Sequence, residues 1–157
     1  MKMFVCAALL LVFAVGCSKR DTGTDLGTIA SQATSASPSV SHETANYKVW
    51  LETKGPYQPG EPGVVNVVLE AKNPYHINKQ YPYKFAVNES AGGLTYPKKT
   101  VPRSDGIYTD TRAEIPVPFV AERAGEMNVG GVFSLSVCTE ANCLMDKRPL
   151  EVAVSVK

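Results

Sequence analysis

Neither a Gly-x-Ser-x-Gly elbow nor a Walker-type glycine loop occurs in this chain, so common signatures of serine hydrolases and phosphate-handling enzymes are missing. Histidine is scarce, at 2 residues, and so is cysteine, at 4. Any catalysis is left to thiol chemistry, and a metal site would have few ligands to draw on. An excess of charge is missing as well, with 16 Lys and Arg against 15 Asp and Glu. Nothing in that balance points to nucleic acid or an anionic surface as a partner. After Val15 no run is apolar enough to span a bilayer. No convincing amphipathic helical period occurs either, which removes most helical folds from consideration.

What the chain does have begins with "MKMFVCAALLLVFAVGCSKR". Lys2, the apolar run from Met3 to Val15 and the small residues before Cys17 read as a secretory signal over residues 1–16. The stretch Ala14-Val15-Gly16-Cys17 resembles the lipobox of bacterial lipoproteins, which implies cleavage before Cys17 and lipid attachment to it. Ser18 in place of Asp resembles outer-membrane sorting. The expected location is the bacterial cell envelope, with the protein lipid-anchored to the outer membrane and facing the periplasm.

Residues 17–44 follow as a Ser/Thr-rich tether with few large apolar side chains, long enough for a root-mean-square reach of roughly 30 Å. His42 falls in it and reads as a solvated side chain. From Ala45 to Lys157 the apolar period is two. "YKVWLET" sets Tyr47, Val49 and Leu51 on one face, and "LEVAVSV" does the same with Leu150, Val152, Val154 and Val156. About seven such strands between Gly and Pro turns predict an all-β, immunoglobulin-like antiparallel sandwich over residues 45–157. In "EIPVPF" the missing N–H groups of Pro116 and Pro118 lie on one side of a strand, which predicts a sheet edge there with Ile115, Val117 and Phe119 in the core.

With Cys6 in the signal and Cys17 lipidated, two thiols remain, Cys138 and Cys143, and an exported pair can close into one disulfide. "VFSLSVC" puts Phe133, Leu135 and Val137 on the core face and aims Ser134, Ser136 and Cys138 at the wetter one. The loop "TEAN", with Asn142 suited to a left-handed turn, predicts a hairpin that sets the two cysteines opposite, with Cα atoms about 4.5 to 5.5 Å apart. A bridge over so short a loop restricts the unfolded chain by only roughly 2 kcal/mol, which favours reactivity over a staple. His76 between Tyr75 and Ile77 reads as a strand residue. Tyr75, Tyr81, Tyr83 and Phe85, set among Pro74 and Pro82, suit either packing or a recognition surface.

"SVCTEANCLMDKRPLEVAVSV" resembles the closing motif of the periplasmic N-terminal domain of the thiol:disulfide interchange protein DsbD and its stand-alone relatives, in which a Cys, a polar turn, a second Cys and an alternating strand recur. "EAKNPYHINKQYPYKFAV", with Tyr75, His76 and Asn78, resembles that family's aromatic segment. The resemblance implies an immunoglobulin-like fold whose cysteine pair, here Cys138 and Cys143, exchanges electrons between a thioredoxin-like partner and exported proteins. It implies no cofactor. It also suggests a recognition surface of Tyr75, His76, Tyr81 and, from a cap-like segment, Tyr108. This chain has four residues between the cysteines where the family has five, lacks prolines soon after the second, and has no Phe-Tyr-Gly cap. A non-catalytic envelope binding or assembly module with a structural disulfide is the alternative, and copper handling through the cysteines with His76, Met127 and Met145 is a third.

Overall fold

The structure is a computed structural model that describes residues 39–89 and 92–157. The expectations for the signal over residues 1–16, for lipid on Cys17 and for the tether up to Pro38 lie outside the described residues. Eleven strands follow one another: β1 (His42–Glu43), β2 (Tyr47–Thr53), β3 (Pro62–Ala71), β4 (His76–Ile77), β5 (Lys84–Val87), β6 (Leu94–Thr95), β7 (Thr100–Pro102), β8 (Ile107–Tyr108), β9 (Arg112–Ala121), β10 (Gly125–Cys138) and β11 (Cys143–Val156). Seven of them span three residues or more, which matches the sequence expectation, and one 3₁₀ turn covers Arg103–Asp105.

All pairings between these strands are antiparallel, and they build the two sheets of a β-sandwich. One sheet runs β1-β2-β3-β9-β6 with β8 also on β9; the other runs β11-β10-β5-β7 with β4 also on β10. The core lies between them because the alternating strands turn one face each inward. Val49, Val65, Val67, Leu69, Ile115, Val117 and Phe119 meet Phe85, Val129, Phe133, Leu135 and Leu150, all buried.

Pro116 and Pro118 behave as their chemistry requires. β9 pairs with β3 along its length, but on its other side β8 meets only Ala113 and Glu114, and β6 only Val120 and Ala121. The two prolines sit between those contacts, where no partner strand asks for an N–H.

β1 lies upstream of Ala45, inside the segment that reads as tether. Val40 exchanges backbone hydrogen bonds with Glu151 of β11, and His42 then pairs with Val49 of β2. The chain thus steps from the edge of one sheet to the edge of the other. His42 is half-buried rather than free in solvent, with its Nε2 2.8 Å from the Pro149 carbonyl oxygen.

Candidate functional site

β10 and β11 form a hairpin that stays in register from Gly125↔Val156 to Cys138↔Cys143. The turn "TEAN" closes it through Thr139. The Thr139 N–H donates to the Asn142 carbonyl at 2.8 Å, and Thr139 Oγ1 accepts from the N–H groups of Ala141 and Asn142 at 3.3 and 3.1 Å. This is a hydroxyl-capped turn, in which the first residue of the loop binds the backbone of Ala141 and Asn142.

The cysteines are direct partners joined by a disulfide, with Cα atoms 4.0 Å apart, somewhat closer than the sequence suggests. The Thr139–Asn142 bond fixes the parity of the ladder. Thr139 with Asn142 and Val137 with Leu144 are the hydrogen-bonded positions, which leaves Cys138 and Cys143 at a non-hydrogen-bonded position. Side chains stand closest at such positions, so the disulfide forms between adjacent strands.

The face assigned to Cys138 needs correction. Phe133, Leu135 and Val137 do point into the core, but Ser134, Ser136 and Cys138 on the opposite face are also buried, Cys138 to 5% exposure. Of the two cysteines of the pair, Cys143 is the exposed one. The cover comes from upstream. β4 pairs with the end of β10, with His76 opposite Cys138 and Ile77 opposite Val137. The next residue, Asn78, donates from its backbone N–H to the Ser136 carbonyl at 3.4 Å, and its side-chain Nδ2 lies 3.4 Å from Ser136 Oγ and 3.9 Å from Cys143 Sγ.

The aromatic residues divide. Tyr83 is buried, stacks on Phe133 at 5.9 Å, and donates its hydroxyl to the Ser136 carbonyl. Tyr81 meets it edge-on at 5.1 Å and Tyr108 lies against it at 5.3 Å. Tyr75, His76, Tyr81 and Tyr108 are all half-buried, and the three tyrosines pack against the core. The Tyr108 hydroxyl is buried without a hydrogen-bond partner, and burial pushes its pKa up to about 12 although the Arg103 guanidinium, 5.0 Å from the ring, acts in the opposite sense. Burial likewise raises the Tyr83 phenol.

Two polar clusters fix the hairpin end. On the inner side, Tyr47 of β2 donates to Asp146 Oδ2 at 2.7 Å and accepts from Arg148 Nε at 2.8 Å, while Arg148 Nη2 and Asp146 Oδ2 lie 2.7 Å apart. Beside Asn78, Lys79 pairs with Asp110 at 2.6 Å, and the Ile77 N–H donates to the Asp110 carbonyl at 2.7 Å. The Lys79 hydrogen bond and charge hold the Asp110 carboxyl below the ordinary range, with a smaller contribution from His76.

The copper set does not assemble. Met127 is buried at the far end of β10, opposite Val154, while Met145 is exposed beside the cysteines. Among the described residues no group of three or more His, Cys, Asp or Glu is placed to hold a metal ion. A cavity of about 650 Å³ lined by Lys54, Tyr57, Glu126, Val154 and Lys157 also lies at the end remote from the cysteines. No family model and no curated protein matches this sequence.

Proposed function

We propose that this domain exchanges thiols and disulfides with a protein partner through Cys138 and Cys143, and that it does so as a lipid-anchored protein of the bacterial cell envelope. The observation that carries the reading is the unequal exposure of a disulfide held at a hairpin end, with Cys138 buried and Cys143 open. Supporting it, Thr139 already closes the turn, so the bridge adds little that the ladder lacks. The likeness of the cysteine motif to the DsbD N-terminal domain suggests a thioredoxin-like donor and exported substrates.

In this reading a partner thiolate attacks Cys143 Sγ. A new sulfur–sulfur bond forms to Cys143, the Cys138–Cys143 bond breaks, and its electron pair leaves on Cys138, which takes up a proton. A second partner thiol then attacks the mixed disulfide and releases reduced Cys143. Two electrons and two protons pass from the partner dithiol to this domain, and the reverse sequence passes them to a substrate disulfide.

The deciding measurement is the reduction potential of the pair, together with trapping by Cys138→Ala protein challenged with a purified thioredoxin-fold dithiol in its oxidised form. Exchange predicts a potential above about −300 mV and a mixed disulfide at Cys143. A potential well below that value with no mixed disulfide leaves the bridge as a structural staple in a binding module. Loss of palmitate labelling in Cys17→Ala cells tests the anchor separately.

A further inference from the structure

The two sulfurs differ in more than exposure. Among the described residues the side-chain amide of Asn78 is the donor recorded against either sulfur, and it reaches Cys143 Sγ at 3.9 Å. The orientation of that amide is set by its other contacts. The Gln80 N–H donates to Asn78 Oδ1 at 3.1 Å, which only an oxygen can accept, so Nδ2 must be the atom turned toward Ser136 Oγ and Cys143 Sγ. The backbone is pinned as well, by the Asn78 N–H to Ser136 carbonyl bond at 3.4 Å and by the Tyr81 N–H to Asn78 carbonyl bond at 3.1 Å. None of these bonds involves the disulfide, so the amide is in place whether the pair is oxidised or reduced.

We propose that Asn78 selects Cys143 over Cys138 as the reactive thiolate of the reduced pair by donating an N–H to that sulfur; this rests on the exchange function proposed above. A neutral amide donor stabilises the anion more than the thiol, so Cys143 deprotonates more readily and attacks a substrate disulfide. Its sulfur bonds to one substrate sulfur, the other substrate sulfur leaves with the electron pair, and Cys138 then displaces the substrate from Cys143 and restores the disulfide.

Other groups at this end do not supply the same bias. Asp146 and Arg148 on β11 are engaged with Tyr47 on the inner face, and Lys79 beside Asn78 is paired with Asp110. Lys147 stands two positions beyond Met145 on the outer face, Glu140 is exposed in the turn, and His76 on β4 is opposite the buried cysteine. Asn78 has no charge, which is why residue type alone conceals it.

The test uses Cys138→Ala protein, in which Cys143 is the reporter, and compares Asn78 with Asn78→Ala and Asn78→Asp. Asn78→Asp keeps the Oδ1 acceptor for Gln80 N–H but loses the donor and adds a negative charge beside the sulfur, so the uncharged Asn78→Ala carries the test and Asn78→Asp checks that the fold is kept when the acceptor remains. An ultraviolet thiolate titration should place the Cys143 pKa higher by about one pH unit in Asn78→Ala and by more in Asn78→Asp. Alkylation by iodoacetamide near neutral pH should slow by up to about tenfold in both. Equal pKa values and equal rates for Asn78 and Asn78→Ala overturn the proposal, whatever the added charge of Asn78→Asp does. A shifted pKa in a pair that never exchanges with a protein sustains the role of Asn78 and removes the proposed function instead.

Discussion

The Tyr47 hydroxyl donates to Asp146 Oδ2 across 2.7 Å, and this bond ties the inner face of the cysteine hairpin to β2 of the opposite sheet. Tyr47 is buried and Asp146 half-buried, so the bond is shielded from water and Arg148 completes a compact triad. Tyr47→Phe leaves the carboxylate short of a donor in that setting. It should cost about 1 to 3 kcal/mol in urea unfolding, because a hydrogen bond to a charged acceptor is lost.

The same carboxylate gives the hairpin a pH dependence of known sign. Burial favours its neutral form, but the Tyr47 hydroxyl, the Lys147 N–H and Arg148 outweigh burial and hold its pKa below the ordinary value. A folded-state value lower than the unfolded one contributes stability above the ordinary carboxylate range, and the contribution is lost as pH falls through the folded value. The stability gap between the native protein and Asp146→Asn should therefore be widest near neutral pH and should shrink as pH falls below the ordinary carboxylate range. Unfolding midpoints across that range check it, and a gap that widens in acid contradicts the assignment.

Unequal burial of the cysteines gives a direct chemical prediction. In Cys143→Ala the thiol left of the pair is the buried Cys138, and in Cys138→Ala it is the exposed Cys143. A maleimide should label the second protein at least about tenfold faster than the first, since access favours Cys143. Removing both thiols should cost no more than roughly 2 kcal/mol, because the bridge closes so short a loop.

The sandwich was legible because strands such as β2 and β9 alternate residue by residue between buried and partly exposed. Tyr47, Val49 and Leu51 are buried as the pattern requires, as are Ile115, Val117 and Phe119, and the two prolines mark the open side of β9. The cysteine register was legible from the four-residue loop "TEAN", whose length sets Cys138 opposite Cys143. What alternation cannot show is which segment covers a face. Ser134, Ser136 and Cys138 follow the expected polarity, yet all three are buried, and β4 and Asn78 arrive from far upstream to lie against Cys138 and Ser136. β1 was hidden for a related reason, since two residues in a polar stretch carry no period of their own. In the sequence Asn78 stands out only as part of an aromatic segment, and its contact with Cys143 Sγ depends on a long-range register that no local spacing encodes.

Tyr108 separates packing from recognition. Its hydroxyl is buried and unpartnered, which is a desolvation cost with no bond to offset it, whereas its ring packs on Tyr83. Tyr108→Phe should therefore leave stability unchanged or raise it by up to about 1 kcal/mol, and should leave thiol exchange unaffected. A variant of native stability that exchanges more slowly with a protein partner, but normally with glutathione, would instead give the hydroxyl a role in docking.

Gly131 shows how closely β10 must approach β5 for the hairpin to be held. A Cβ at Gly131 would lie 2.4 Å from the Ala86 carbonyl oxygen and 2.6 Å from Phe85 Cζ, and both neighbours are fixed, one by the backbone ladder and one by full burial. At Gly130 the nearest atoms are the Leu150 carbonyl oxygen at 3.2 Å and the Glu151 side chain at 3.5 Å, so a modest adjustment suffices. Gly131→Ala should accordingly cost about 1 to 3 kcal/mol by overpacking, and Gly130→Ala clearly less. Because β5 and β4 flank β10 on the same side, the strain at Gly131 should also loosen the pairing that buries Cys138. Maleimide labelling of Cys138 in Cys143→Ala protein should thus accelerate when Gly131→Ala is added and not when Gly130→Ala is added; equal labelling in the two would separate the β5 contact from the cover over the cysteines.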